Sequence, residues 1–125
     1  MPSDLVLELH LPADRSAGAI ARRELAGALA GRVTPAAVEA AALAATELVN
    51  NAVLHGEPPV RLKAALLEDV LRLEVVDGGD GAPEVREAAG DETGGFGLRI
   101  VEALSRRWGA FEGTTHVWCE LPVDA

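Results

Sequence analysis

Glu47, Asn51 and His55 recur every four residues, a spacing that lines a carboxylate, an amide and an imidazole along one stripe of a helix. A carboxylate and an amide oxygen one turn apart can share a hard cation or its water shell. Mg2+ suits that arrangement because it keeps several waters and takes few protein ligands. The same spacing also describes an ordinary solvated helix face. Further along, Leu71, Leu73, Val75 and Asp77 share one side of a strand pattern, so the carboxylate ends a row packed against helices. It needs a donor there, and the exocyclic amine of adenine is one. Gly79 and Gly81 would let backbone come close to a flat ring or a phosphate. The alternative is a glycine-rich turn with Asp77 as an end-of-strand cap. In the third segment, Gly94-Gly95-Phe96-Gly97 runs directly into a helical pattern, where exposed N–H groups and the helix dipole favour an anion. Glycines before helices are common, so this segment gains its meaning from the other two.

The elements that must hold these residues follow from periodicity. Leu5, Val6, Leu7, Leu9 and Leu11 read as a first strand ended by Pro12. Asp14 or Ser16 caps a helix with Ile20, Ala21, Leu25, Ala28 and Leu29 on its apolar side, stopped near Gly31, with Arg22, Arg23 and Glu24 toward water. Thr34-Pro35 starts a second helix that runs to about His55 and ends at Gly56 and Pro58-Pro59. Residues 60–67 and 70–77 form a hairpin whose turn, Glu68-Asp69, lacks glycine. Residues 78–95 hold six of the 13 glycines and Pro83, which predicts a mobile loop. A third helix is predicted from about Gly97 to Gly109, with Ile100, Val101, Leu104 and Trp108 on its apolar side. A closing strand places Val117, Cys119 and Leu121 on one face. The order predicts an α+β, two-layer sandwich over residues 1–125: a mixed, mainly antiparallel sheet with three helices on one face.

Composition narrows the function classes. The 125 residues are 49% hydrophobic and 25% charged, with a net charge of −9 and Lys63 as the sole lysine. That surface repels phosphate backbones and anionic membranes, so neither nucleic acid nor membrane is an expected partner. One cysteine, Cys119, allows no internal disulfide and suits a reducing compartment. Met1-Pro2-Ser3-Asp4 has no basic n-region, and the longest apolar runs are far short of the ~20 residues a membrane helix needs, so a cytoplasmic setting is expected. His10, His55 and His116 lack zinc spacing. Neither a G-x-x-x-x-G-K-[ST] loop nor a G-x-G-x-x-G turn occurs.

Taken together, the three segments resemble the boxes of the GHKL, or Bergerat-fold, ATPases. Glu47 to Gly56 resembles their N box, Asp77-Gly78-Gly79-Asp80-Gly81 their D-x-G-x-G box, and Gly95-Phe96-Gly97 their second glycine box. The context is similar to the anti-sigma-factor serine kinases in Arg22-Arg23, in Glu47-Leu48-Val49 before Asn51-Ala52-Val53, and in Gly97-Leu98-Arg99-Ile100-Val101 before Trp108-Gly109. The likeness spans roughly residues 5–121. It implies ATP with Mg2+ as cofactor, Asn51 coordinating the metal, and Glu47 as general base. It also implies Asp77 on the adenine amine, with Gly79 and Gly81 shaping the base pocket. Gly95 and Gly97 would hinge a lid whose helix amides meet the phosphates, and Thr115 would stand near the adenine.

The implied activity is that of a protein serine kinase. Its implied partners are a sigma factor and an anti-anti-sigma protein of the STAS type, with a homodimer as a reasonable assembly. Where such kinases often carry a lid arginine, this chain reads Asp91-Glu92-Thr93-Gly94, and Arg86 is the only basic residue between Gly81 and Gly97. His116 also stands where short relatives often place threonine. Those departures keep a second expectation open, a non-catalytic regulator that uses ATP to set its shape for partner recognition. A histidine-kinase catalytic domain acting in trans is a third.

Overall fold

A computed structural model describes residues 5–78, 95–110 and 116–124. The chain runs β1 (Leu5–Leu11), α1 (Ala17–Leu29), α2 (Pro35–His55), β2 (Val60–Leu67), β3 (Val70–Val76), α3 (Gly95–Leu104), β4 (Arg107–Ala110) and β5 (His116–Pro122). The longest element starts where its sequence says it should. The Thr34 hydroxyl accepts from Ala37 N–H at 3.1 Å, and Pro35 follows at the first helical position. Such a cap contributes about 1 kcal/mol. α1 departs slightly from expectation. Ser16 holds the cap position, but its hydroxyl and its N–H both donate to the Asp14 carboxylate, at 2.6 and 2.8 Å, and do not cap the helix.

The strands form one five-stranded sheet in the order β1-β2-β3-β5-β4, and every pairing is antiparallel. The expected two-layer α+β arrangement stands, and the sheet, expected to be mixed but mainly antiparallel, has all four of its described strand pairs antiparallel. Glu68 and Asp69 do make the β2–β3 turn, and Glu68 supplies the conformation a glycine would have given, with φ of 49°.

Period-two alternation sorts the sheet into two faces. Leu62, Leu73, Cys119 and their neighbours point inward and meet Leu25 and Leu29 of α1, Leu48 and Val49 of α2, and Val101 of α3 in one core. Truncating one of these leucines to alanine costs about 2–5 kcal/mol, several times the value of the Thr34 cap, so the core decides the fold. The same core explains the apolarity of α2. Pro35–Leu54 is long and apolar enough, by composition, to cross a membrane, with mean hydropathy of 1.2 over its window. The sequence reading underrated that run. In the fold its apolar side is spent on Ala41, Ala44, Ala45, Leu48 and Val49, all buried between α1 and the sheet.

The third helix is shorter than expected, and Trp108 is not on it. α3 ends at Leu104, and Arg107–Ala110 forms an edge strand paired with β5. Trp108 follows Leu104 by four residues, which satisfies a helical stripe. It also satisfies strand alternation, since it pairs with Cys119 and packs on the core while Arg107 turns outward. The backbone settles the choice, as Arg106 N–H donates to Glu120 C=O at 2.8 Å and opens the β4–β5 ladder.

Candidate functional site

Antiparallel connectivity brings several chain ends to one end of the sheet. Leu11 at the close of β1 pairs with Val60 at the start of β2. Val76 at the close of β3 pairs with both Arg61 and His116. Helix α2 arrives at the same place, because Gly56, its C-cap, leads directly into β2. The start of α1 lies there as well, with Gly18 packed on the Asn50 side chain.

The end of α2 and the end of β3 meet at this junction. Asp77 stands just past β3, half-buried, and its carboxylate lies directly against Gly56. A β-carbon at Gly56 would overlap that carboxylate and would sit 2.8 Å from the Ala52 carbonyl. The next residue is fastened too. Gly78 N–H donates to the Glu57 carbonyl at 2.6 Å, and a side chain on Gly78 would overlap the Pro58 carbonyl. Asn51 lies five residues before Gly56, about 7.5 Å of helix rise, and Glu47 is about 6 Å further along. Both are half-buried, while Leu48 and Val49 between them and Ala52 just beyond face the core. The stripe therefore forms the rim of α2 and not its buried side. Among the described residues, neither Glu47 nor Asn51 has a side-chain hydrogen bond or ion pair within the chain.

The donor set allows a test of fit. Among the described residues no group of three or more His, Cys, Asp or Glu side chains could hold a metal ion. A cation here would rest on one or two α2 oxygens and draw its other ligands from water and a bound anion, which is how Mg2+ is held on phosphates. At the other end of the junction, the half-buried Asp77 carboxylate occupies the space left by the missing Gly56 side chain. Carboxylate and amide thus fit a purine nucleotide with its Mg2+, and they do not fit a metal caged by protein alone.

Gly95 and Gly97 fall in the first turn of α3, so the helix starts two residues earlier than its sequence suggests and contains both glycines. Gly79, Gly81 and Thr115 lie outside the described residues, as do Asp91–Gly94. His55 ends α2. Sequence reasoning missed Gly56 and Gly78 as the residues that bring α2 and β3 together. Gly56 was read as a helix stop and the end of the N-box likeness, and Gly78 as part of the D-x-G-x-G likeness, with no contact between them foreseen.

The remaining charged cluster lies on the other face of the sheet. Arg72, Glu120 and Arg107 pair directly across β3, β5 and β4. Glu120 is buried and accepts from Arg72 at 2.9 Å and from Arg107 at 2.9 and 3.1 Å. Arg72 also bonds Glu74 at 2.8 Å and stacks 4.5 Å from the centre of the Trp118 ring. On the inner face, burial pushes the Cys119 thiol up to about 11, against a smaller opposing effect of Ser105, so it is an inert core thiol.

The model of one family, the histidine kinase-like ATPase domain, matches residues 11–118. No curated protein matches the chain.

Proposed function

This chain belongs to the histidine kinase-like ATPase family, and from that premise we propose that it is a protein serine kinase of the anti-sigma-factor type. It would bind ATP with Mg2+, bind a sigma factor, and phosphorylate an anti-anti-sigma partner of the STAS class. The observation that carries the reading is the placement of Glu47 one helical turn before Asn51, on the rim of a helix whose end packs on Asp77. Nucleotide binding alone has no need of that carboxylate, whereas transfer to a hydroxyl does.

Each residue then has one task. Asp77 accepts from the adenine amine, and Asn51 offers its amide oxygen to the cation. Mg2+, when bound, neutralises charge on the phosphates of the nucleotide. Glu47 takes the proton of the acceptor serine as its Oγ bonds to the γ-phosphorus. The bond from that phosphorus to the β,γ-bridging oxygen breaks, and ADP leaves. Gly79, Gly81 and Thr115 complete the base pocket in this reading, and Gly95 and Gly97 set the first turn of α3 toward the phosphates. The protein would act in the cytoplasm, as a homodimer.

The test uses γ-labelled ATP, Mg2+ and a serine-bearing STAS partner. Acid-stable label appears on the partner, and Glu47→Gln lowers its rate by about 10²–10⁴ with nucleotide affinity nearly unchanged. Label lost in acid would mean phosphohistidine and a different kinase class. A bound nucleotide with no label on any partner would establish the second reading, a regulator that uses ATP only to set its shape. The sequence Asp91-Glu92-Thr93-Gly94, without an arginine, is what favours that alternative.

A further inference from the structure

We propose that the connection Gly56-Glu57-Pro58 and the strand end Asp77-Gly78 form a clasp, with Gly56 as the positioning residue that sets which purine the site accepts. This rests on the nucleotide reading of the site and adds to it a residue that does not itself touch the ligand. Three independent contacts compose the clasp. The Asp77 carboxylate occupies the space where a Gly56 side chain would be. Gly78 N–H donates to the Glu57 carbonyl at 2.6 Å. The Pro58 carbonyl occupies the space of a Gly78 side chain.

The consequence is geometric. Asp77 follows the last paired residue of β3, Val76, so the strand ladder no longer fixes its backbone. The clasp fastens Asp77 to the last turn of the helix that carries Glu47 and Asn51. The base-reading carboxylate and the cation-holding amide thus become parts of one rigid unit, bridged by backbone and not by flexible side chains. A methyl on Gly56 cannot be absorbed by rotating it away, because its other neighbour is the Ala52 backbone carbonyl at 2.8 Å. The carboxylate has to move. A displaced acceptor loses the directional bond to an exocyclic amine while leaving phosphate and cation contacts in place.

The experiment compares full-length wild type and Gly56→Ala for binding of ATP and of purine riboside triphosphate, which is the same nucleotide without the amine. Wild type favours ATP by at least about ten-fold, and Gly56→Ala reduces that preference below about three-fold while binding the analogue as wild type does. A Gly56→Ala protein that keeps the wild-type ratio overturns the clasp, whatever its melting temperature. Wild type that binds both nucleotides equally removes the role of Asp77, and the clasp falls with it. If Gly56→Ala does not fold, Gly56→Ala/Asp77→Ala decides, since the carboxylate that meets the methyl is gone. Recovery of a folded, cooperatively melting protein supports the contact, and a double variant as unstable as the single one overturns it.

Discussion

Two polar clusters occupy opposite faces of one sheet and obey opposite rules. In the outer-face cluster each charge is answered inside the molecule: Glu120 receives Arg72 and Arg107, and Arg72 also holds Glu74 and stacks on Trp118. At the α2–β3 junction the carboxylate and amide on the helix rim have no such partners among the described residues, and glycines bring backbone and Asp77 close together. Residues that satisfy one another stabilise the native state. Residues set out at a junction where only glycine fits are arranged for something that arrives from outside. The contrast predicts separable phenotypes, with ligand binding lost in one region and stability lost in the other.

Asn51→Ala should give the largest effect on binding and nearly none on folding. Its side chain is half-buried on the rim, so removing it costs the unliganded protein under about 0.5 kcal/mol. At ATP-Mg2+ concentrations about a hundred-fold above Kd, wild type gains about 2.7 kcal/mol from ligand, and the variant should gain almost nothing. Thermal melts with and without nucleotide measure both quantities on the same samples. A variant that melts early without ligand, yet still responds to ATP, would move Asn51 from the binding cluster to the structural one.

Much of the frame was legible before the fold was seen. Thr34-Pro35 marked the start of α2, and alternation assigned Leu71, Leu73 and Val75 to the inner face, because both signals are local and the structure obeys them. The stripe of Glu47 and Asn51 was legible for the same reason. Trp108 was misplaced because four residues after Leu104 is a core position for helix and strand alike, and only pairing with Cys119 separates them. The clasp was hidden, since Gly56 and Asp77 are distant in sequence and a glycine shows no chemistry of its own. The outer cluster was hidden too, because Glu120 meets Arg72 and Arg107 only through the register of three strands.

Glu120→Gln tests the other half of the comparison. It keeps the shape of the side chain and removes the charge from hydrogen bonds to two guanidinium groups, in a position only 8% exposed. The loss should be roughly 2 kcal/mol, or about 5–10 °C in Tm for a chain of this size. Affinity for ATP, measured on the folded variant, should stay within a factor of about two, because the cluster lies across the sheet from Asp77. Weakened ATP binding in a fully folded Glu120→Gln protein would show that the two faces are coupled, and the division drawn between them would fail.

The same carboxylate makes that stability depend on pH in a direction the structure fixes. Burial alone would raise the Glu120 carboxyl, but hydrogen bonds from Arg107 and then Arg72 outweigh it and hold the group below its ordinary value of 4.5. An acid stabilised in its ionised form contributes fully above the unfolded-state value, and that contribution is lost as pH falls through the lower native value. Wild type should therefore exceed Glu120→Gln by a constant margin in urea melts from neutral pH down to the upper edge of the carboxylate range. Below 4.5 the margin should shrink, since protonation turns wild type into a neutral acid resembling the variant. A margin that persisted unchanged to the lowest pH at which both proteins fold would mean that ionisation of Glu120 is not its source. Charge satisfaction would then no longer be what distinguishes the outer face from the junction.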